Sequence, residues 1–276
     1  MMINRSQLKF HETFQPETVY IARILELAAN HFSGTKYDIS EQTGIPTGKQ
    51  KGKVEPHIKY ATFMGLINYQ YDKGTYTLSL TLLGEVVYSE DRFLHESLTR
   101  WLCHYEISRK LDGAPQWEYI VREGHSGFLA VNSTEHHVQK ANALFGTNVS
   151  SEELFGVVKR SYLEGFFSEL NYLKWDDHIK YIEHNESPEL LYVYAYALLD
   201  SWSHLLPQKQ EITITEMHHS LQLGEVFNLS DESVDSILND LEYEGILKLN
   251  RQLFPATVIR FESEQELLSK LYCRLL

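Results

Sequence analysis

Two helix-to-strand junctions of the same kind occur in this chain, one near each end. A glycine ends an amphipathic helix and an apolar pair then opens a strand, in the segments Met64-Gly65-Leu66-Ile67 and Glu244-Gly245-Ile246-Leu247. Glycine readily adopts the left-handed conformation that commonly ends a helix, so the chain can turn back sharply there. The two junctions therefore indicate one small helix-and-hairpin module that is used twice.

The first module is predicted to contain helices followed by a β-hairpin. Apolar residues at three- and four-residue steps place an amphipathic helix at Val19–Phe32. A short helix follows at Tyr37–Thr43, stopped by Gly44, and another runs over Val54–Met64 with Pro56 in its first turn. Alternating residues on either side of an Asp-Lys-Gly turn complete the pattern of a winged helix.

The second module has the same order of elements. Thr213–Phe227 supplies its early helices, and Ser230 is a suitable N-cap for a helix that ends at Gly245. Strands are predicted at Ile246–Leu249 and Thr257–Phe261. This module is therefore expected to be winged-helix-like.

Leucine and aromatic residues at helical spacing fill the region between the modules. Helices are clearest at Phe93–Leu111 and Ser187–Leu205, whereas Val131–Ser151 is polar and is predicted to be a loop. The fold class is therefore mainly α with a minor β contribution. The predicted domains are an N-terminal winged helix (1–88), a central helical domain (89–206) and a C-terminal winged-helix-like domain (207–276).

The charge distribution separates the two modules. The formal net charge of −13 disfavours binding of the chain as a whole to a polyanion. Lysines nevertheless concentrate in the first module, where Lys49, Lys51, Lys53 and Lys59 stand against the acid Glu55. The last helix of the second module is acidic and is expected to repel DNA. That module is predicted to be a docking surface, a structural cap or the contact of a homodimer.

The segment from Gly44 to Lys53 places glycines, a proline and lysines directly before a predicted helix. Glycines let a phosphate approach the backbone, while lysines and helix N-terminal amides attract it. A nucleotide-binding P-loop is disfavoured because the spacing fails and no Ser or Thr follows Lys49. The alternatives are a solvated structural loop and, for His57, an ordinary half-buried histidine. The residues predicted to contact DNA are Thr47, Gly48, Lys49, Lys51, Gly52, Lys53, His57 and Lys59.

Two groups of acidic and histidine residues are candidates for holding a divalent metal ion at a phosphodiester. In the first group, Glu90 and Asp91 are the predicted metal ligands, and Glu96 and His104 are the predicted catalytic residues. The alternative is a helix with acids at its start and a Glu96–Arg100 ion pair on its surface.

The second group surrounds a pair of adjacent aspartates. Asp176 and Asp177 are the predicted metal ligands, and Asp177 and Glu183 are the predicted catalytic residues. If this stretch is helical, Asp176, Lys180 and Glu183 share one face, which is alternatively an ordinary solvated surface. The chain contains no nucleophile elbow, dinucleotide-binding glycine motif, zincin motif or cysteine zinc pair.

Cysteine content and hydropathy indicate a cytoplasmic protein. Cys103 and Cys273 are far apart and are expected to be buried, reduced thiols. No apolar run approaches the ~20 residues needed to span a membrane. The first residues lack the apolar core of a signal peptide, so no membrane association is expected.

Several short motifs resemble a known family. They are Leu8-Lys9-Phe10-His11-Glu12-Thr13-Phe14, Gly44-Ile45-Pro46-Thr47-Gly48, Gly52-Lys53-Val54-Glu55-Pro56-His57-Ile58, Tyr60-Ala61, Glu90-Asp91 and Leu98-Thr99-Arg100-Trp101-Leu102 with His104. In these segments the chain is similar to the SspB family of bacterial Ssp DNA-phosphorothioation defence systems. The resemblance extends over nearly the whole chain and is densest in its first 105 residues.

The resemblance implies a role in replacing a non-bridging phosphate oxygen of DNA by sulfur. It implies DNA nicking with a divalent metal, Mg²⁺ or Mn²⁺, alongside a cysteine desulfurase, an ATPase and an ATP-pyrophosphatase-like sulfur carrier. It also carries DNA contact onto the matching positions Thr47, Gly48, Gly52 and Lys53.

Three functions follow from these observations. The leading prediction is a metal-dependent, DNA-nicking and DNA-binding subunit that acts in phosphorothioate modification for anti-phage defence. The second is a non-catalytic DNA-binding adaptor or regulator that recruits the modification enzymes to double-stranded DNA. The third, a pure protein-interaction scaffold, is favoured by the acidic balance alone.

Overall fold

The computed structural model describes residues 5–126, 133–252 and 254–275. The fold is mainly helical with small antiparallel sheets, in agreement with the predicted fold class. The chain forms two compact units, of which the first ends at Tyr181 and the second begins at Ile182. Within the described ranges, none of the helices combines the length and the hydropathy needed to cross a membrane.

Helices and short strands alternate at the start of the first unit. Its α-helices are α1 (Arg5–Leu8), α2 (Thr18–Ala29), α3 (Lys36–Thr43), α4 (Val54–Phe63), α5 (Leu82–Asp91), α6 (Ser97–Ile107), α7 (Pro115–Glu118), α8 (Thr134–Phe145) and α9 (Val157–Leu163). Its strands are β1 (Ser33–Thr35), β2 (Ile67–Asp72), β3 (Thr75–Leu80), β4 (Leu173–Asp176) and β5 (His178–Tyr181). Two π-helical turns, Tyr119–Glu123 and Glu152–Gly156, and a 3₁₀ turn, Ser168–Leu170, complete it.

The core of the first module lies between α2, α4 and a three-stranded sheet in which β3 is central. Ile21, Ile24 and Leu25 recur on one face of α2, and all three are buried. Helix α3 begins at a capping box between Thr35 and Asp38, which satisfies N–H groups that the first turn leaves free. The predicted helices of this module are therefore present, but α2 ends at Ala29, short of the predicted Phe32.

The second unit repeats this arrangement. Its α-helices are α10 (Leu191–Leu205), α11 (Ile214–Leu221), α12 (Leu223–Phe227), α13 (Asp231–Tyr243) and α14 (Glu264–Leu267), with 3₁₀ turns at Pro188–Leu190 and Leu268–Lys270. Its strands are β6 (Glu211–Thr213), β7 (Leu247–Asn250) and β8 (Thr257–Arg260), with β8 central as β3 is in the first sheet. Gly65 and Gly245 both have a positive φ, 70° and 74°, as the shared junctions require.

Three local predictions are wrong, and the helix considered as one possibility for the stretch from Asp176 is not formed. Asp176 to Tyr181 is not helical but forms the β4–β5 hairpin, with Asp177 at its tip in the left-handed conformation (φ 61°). Most of the stretch predicted as a loop is helix α8, which Ser133 caps; residues 131–132 lie outside the described residues. The helix predicted from Phe93 begins only at Ser97. Cys273 is exposed, whereas Cys103 is buried as expected.

Candidate nucleic-acid interface

The turn before α4, from Pro46 to Lys53, is called the basic turn. It is a closed loop with no room for a side chain at Gly48 or Gly52. The amide of Lys53 donates to the carbonyl of Pro46 at 2.7 Å and closes it. A Cβ atom on Gly52 would lie 2.6 Å from Oγ1 of Thr47, and one on Gly48 would lie 2.8 Å from the Lys51 carbonyl oxygen. The glycines are therefore needed for the loop to pack against itself. The hydrogen bond of Lys53 also fixes the backbone at the start of α4.

The four lysines of this region have different surroundings. Lys49 and Lys51 are exposed, and neither takes part in the ion pairs found among the described residues. The Nζ atom of Lys53 lies 2.7 Å from Oε1 of Glu17. Lys59 is half-buried on α4, where its charge helps to lower the pKa of Glu55. Of these four lysines, Lys49 and Lys51 are therefore the exposed ones that no acid pairs with among the described residues.

Lys53 holds the start of α2 against the start of α4. Besides its ion pair with Glu17, its ammonium group lies 5.6 Å from the ring centre of Phe14 and 5.4 Å from that of Tyr20. Such cation–π contacts add to an ion pair when the group is partly desolvated. The lysine cluster in the sequence did not indicate these structural contacts of Lys53.

His57 is a buried histidine of the module core and not an exposed donor. Its Nε2 accepts the Glu17 amide at 3.2 Å, and its Nδ1 lies 2.6 Å from the Lys53 carbonyl oxygen. The carbonyl can only accept, so Nδ1 carries the proton of the neutral ring. Burial lowers the pKa of His57 from 6.5 to about 4. The ring is fully buried and offers no surface to a phosphate.

Lowering the pH is expected to destabilise the first unit through His57. Below a pH of about 6.5 the unfolded chain binds a proton at this position, whereas the folded ring stays neutral until the pH reaches its own pKa of about 4. The contribution of His57 to the free energy of unfolding is therefore fully present above the pKa of the unfolded chain. It falls by about 3 kcal/mol as the pH is lowered through this window. Urea unfolding of wild type and His57→Gln at several pH values measures it, and the variant should show the smaller fall.

A matched variant controls for the histidine content of the chain. His136 is exposed, so His136→Gln should leave the pH dependence of wild type unchanged. His11 is also buried, and burial lowers its pKa to about 4, so part of the dependence should remain in His57→Gln. Equal pH dependence in wild type and His57→Gln would contradict the assignment.

A cluster around Glu55, in the first turn of α4, was not singled out in the sequence. Oε2 of Glu55 lies 3.1 Å from Nζ of Lys36, and its Oε1 accepts from the Tyr76 hydroxyl at 2.8 Å. Burial raises the pKa of Glu55, but these two hydrogen bonds and the nearby lysine charges outweigh it and lower the pKa overall. The acid directly after a lysine-rich turn was the available signal, while Lys36 and Tyr76 come from other elements.

In the first predicted metal group, Asp91 ends α5 and is hydrogen-bonded to the segment that leads into α6. The carboxylate of Asp91 accepts hydrogen bonds from the amides of His95 and Glu96, both at 2.9 Å, and from the Thr99 hydroxyl at 2.7 Å. It thereby fixes the backbone between the end of α5, where Asp91 is the last residue, and Glu96, which directly precedes α6. Glu90 and Glu96 are exposed on either side of it. The oxygens of Asp91 are thus engaged in holding α6.

His104 and Arg100, on the same helix, have partners from other parts of the unit. His104 is fully buried, and its Nδ1 lies 2.5 Å from the hydroxyl of Tyr162. The rings of Tyr172 and Trp101 pack against it, with ring centres 4.5 and 5.3 Å away. Arg100 pairs with Glu169 at 2.6 Å. The alternative interpretation required a pair with Glu96 instead. His104 therefore belongs to an aromatic core.

The second predicted group is split by the β4–β5 hairpin. Asp176 pairs with Lys180 at 2.6 Å, which lowers the pKa of Asp176. Asp177 is exposed at the hairpin tip, and Glu183 is exposed in the second unit. Across residues 5–126, 133–252 and 254–275, no three His, Cys, Asp or Glu side chains come together as a group that could hold a metal ion. The predicted carboxylates therefore do not by themselves fit a bound metal.

In the second unit, the helix that corresponds to α4 presents acids to the solvent. Asp231 and Glu232 stand in the first turn of α13, and Asp235 and Asp240 are exposed further along it. Acids in the first turn of a helix interact favourably with the helix dipole, so they also stabilise α13. The charge contrast between α4 and α13 follows the sequence pattern.

Comparison with solved structures shows the same fold over nearly the whole chain. One is a magnesium-bound protein, at a TM-score of 0.73 and 17% identity, with 97% of this chain and 88% of that chain covered. That protein is SspB, and a second SspB crystal structure matches at a TM-score of 0.72 and 18% identity with the same coverage. No protein-family model matches the chain. No curated protein matches it in sequence.

Proposed function

We propose that this chain binds double-stranded DNA through the turn before α4 and acts as the SspB-like component of a DNA phosphorothioation system. The observation that carries the proposal is the exposed Lys49–Lys51 pair on a closed glycine loop at the start of a helix. Lysines and helix N-terminal amides favour phosphate without regard to base sequence. The fold shared with SspB supports the proposed role in a DNA phosphorothioation system.

The order of elements supports a DNA-contacting module. Helix α4 follows α2 and α3 and precedes the β2–β3 hairpin, which is the order found in winged helices. In helix-turn-helix proteins the recognition helix enters the major groove with its N-terminal residues at the bases. The basic turn would then lie beside the phosphate backbone. The partners of this chain would be the desulfurase, the ATPase and the sulfur carrier of the same system.

The reaction proposed for the chain is metal-assisted nicking of one DNA strand. A divalent metal can polarise a phosphodiester and stabilise the charge that develops during its cleavage. Magnesium is bound in one of the SspB crystal structures, which supports Mg²⁺ as the metal. Mg²⁺ is commonly held by one or two carboxylates together with substrate phosphates and water. Two carboxylates lie beside the start of α4, since Glu17 pairs with Lys53 and Glu55 stands in the first turn of the helix.

A plasmid assay tests this reaction. Supercoiled plasmid incubated with the protein and Mg²⁺ is expected to yield open-circular product. EDTA should abolish this product because it removes the Lewis acid that polarises the phosphodiester. Glu55→Gln should slow nicking if Glu55 contributes to the metal site, whereas Glu232→Gln, at an exposed acid of the second unit, is the matched control. Intact plasmid with every divalent metal, from protein that still binds DNA, would contradict the reaction.

A DNA-binding adaptor is the second candidate. It is favoured by the placement of the predicted catalytic and metal-binding residues, since His104 is buried, Asp91 accepts from the backbone before α6 and Asp176 is paired with Lys180. An adaptor would bind plasmid without converting it. The plasmid assay therefore separates the two candidates, provided that binding to the same plasmid is measured in parallel.

A further inference from the structure

A cavity of about 370 Å³ opens between α2 and the end of α5 in the first unit. Volumes of roughly 300–1,000 Å³ are usual for pockets that hold small ligands. Its lining residues include Thr18, Arg23, Glu26, Arg92, Phe93 and His95. None of the lysines of the basic turn lines it, so it is a separate feature of the unit.

Two arginines and one acid, Arg23, Arg92 and Glu26, make up the charged lining of this cavity. Arg23, Arg92 and His95 are all exposed, and none of them takes part in the ion pairs found in the part of the chain that the structure describes. Arg23 donates one N–H to the Thr43 carbonyl, which fixes the side chain and leaves its other donors available. Guanidinium groups match phosphate oxygens in planar, two-pronged geometry.

The first turn of α2 adds to the same potential. Thr18 is the first residue of this twelve-residue helix and lines the cavity. The leading N–H groups of a helix have no acceptor within it, and they carry the positive end of the helix dipole. Glu17, the N-cap residue, offers them no side-chain hydrogen bond. The cavity therefore combines a helix start with two arginines.

An aromatic ring and an acid complete the lining. Phe93 is 56% exposed, and the guanidinium of Arg92 lies 4.8 Å from its ring centre. An exposed ring beside arginine is a surface on which any of the bases can stack, because each base has a π-face. Glu26 is exposed and supplies an acceptor for a hydroxyl or an amino group. A simple inorganic anion would use neither Phe93 nor Glu26.

We propose that this cavity binds a nucleoside monophosphate unit. Arg92 and Arg23 hold the phosphate, Phe93 stacks on the base, and Glu26 accepts from a sugar hydroxyl or a base amino group. The unit is either a free nucleotide or the phosphorylated end of a DNA strand, since both present the same groups. The proposal goes beyond duplex binding and nicking, because it requires neither of them.

Calorimetric titration of the whole chain with AMP and dAMP tests the site. Saturable binding with one nucleotide per chain is expected. Arg92→Gln and Phe93→Ala should each weaken it by roughly tenfold, the scale of one charge-assisted hydrogen bond or one stacked base. Lys248→Gln is the matched control, because Lys248 is an exposed cation of the second unit, and it should bind as wild type does. Both cavity variants alter exposed side chains, and circular dichroism checks their folding.

Further probes decide the source of the ligand and the role of the ring. A short single strand with a 5′-phosphate, compared with the same strand without it, supports a DNA end if only the phosphorylated strand binds and Arg92→Gln abolishes that binding. Binding of AMP but not of the strand supports a free nucleotide. Inorganic phosphate that binds as tightly as AMP would overturn the proposal. So would the absence of binding by every probe, or binding that neither cavity variant weakens.

Discussion

Replacing Lys49 and Lys51 together with glutamine is expected to weaken binding of duplex DNA by roughly tenfold or more near physiological salt, because two phosphates are no longer neutralised. The slope of log K against log salt concentration should become shallower by about 1.8, since each lysine removed means that one counterion fewer is released. Both side chains are exposed, and neither pairs with an acid among the described residues, so the folded state should be unaffected. Fluorescence anisotropy of a labelled duplex over a salt series measures both quantities.

Two single variants sharpen that experiment. Lys248→Gln removes one positive charge from the second unit and should leave the slope unchanged. Lys53→Gln should lower the stability of the first unit, because it leaves the Glu17 carboxylate without its partner at 2.7 Å. If the double variant kept the wild-type slope, the turn before α4 would not be the phosphate contact.

Asp91→Ala is expected to lower the free energy of unfolding of the first unit by roughly 2–4 kcal/mol, because three hydrogen bonds to a buried, charged group are lost. Asp91 is only 8% exposed, so water cannot fully replace its carboxylate at the three donors. Asp91→Asn keeps an acceptor but loses the charge, and a smaller loss is expected. Urea unfolding followed by tryptophan fluorescence measures it, as Trp101, Trp117 and Trp175 lie in the first unit.

The neighbouring acid supplies the control for Asp91. Glu90 is exposed, and Glu90→Ala should change stability by no more than about 0.5 kcal/mol. Equal effects of the two substitutions on unfolding would contradict this structural role of Asp91. Unchanged stability in Asp91→Ala together with abolished Mg²⁺ binding would instead restore Asp91 as a metal ligand.

Much of the helical fold could be predicted because burial imposes a period on the sequence. The apolar positions of α2 and α13 recur at helical spacing, and the glycines at the two junctions mark where the helices end. Strand β1 was missed because Ser33–Thr35 is short and has no alternating pattern; it is a strand only through its pairing with β3. Helix α8 was missed because its exposed face is polar, although Ala141 and Phe145 are buried.

The candidate site was predictable only where it is local in sequence. The basic turn is a continuous segment, and its lysines and glycines were found directly. The partner of Lys53 lies 36 residues away in Glu17, and no local spacing reveals that pair. For Asp176 and Lys180 the four-residue spacing fits a helix, yet the pair forms within a hairpin. Burial of His57 and His104 likewise depends on residues from distant elements.

The central position of β3 and of β8 also bears on how the chain folds. The turn that joins β2 to β3 is closed by Lys73 and Gly74, both at positive φ, so this hairpin forms at a small entropic cost. Strand β1 must reach β3 across α3 and α4, with Ser33 opposite Thr77. Contacts of greater sequence separation form more slowly. Since the whole first sheet is complete by Leu80, a nascent chain can close it well before β6 has been synthesised.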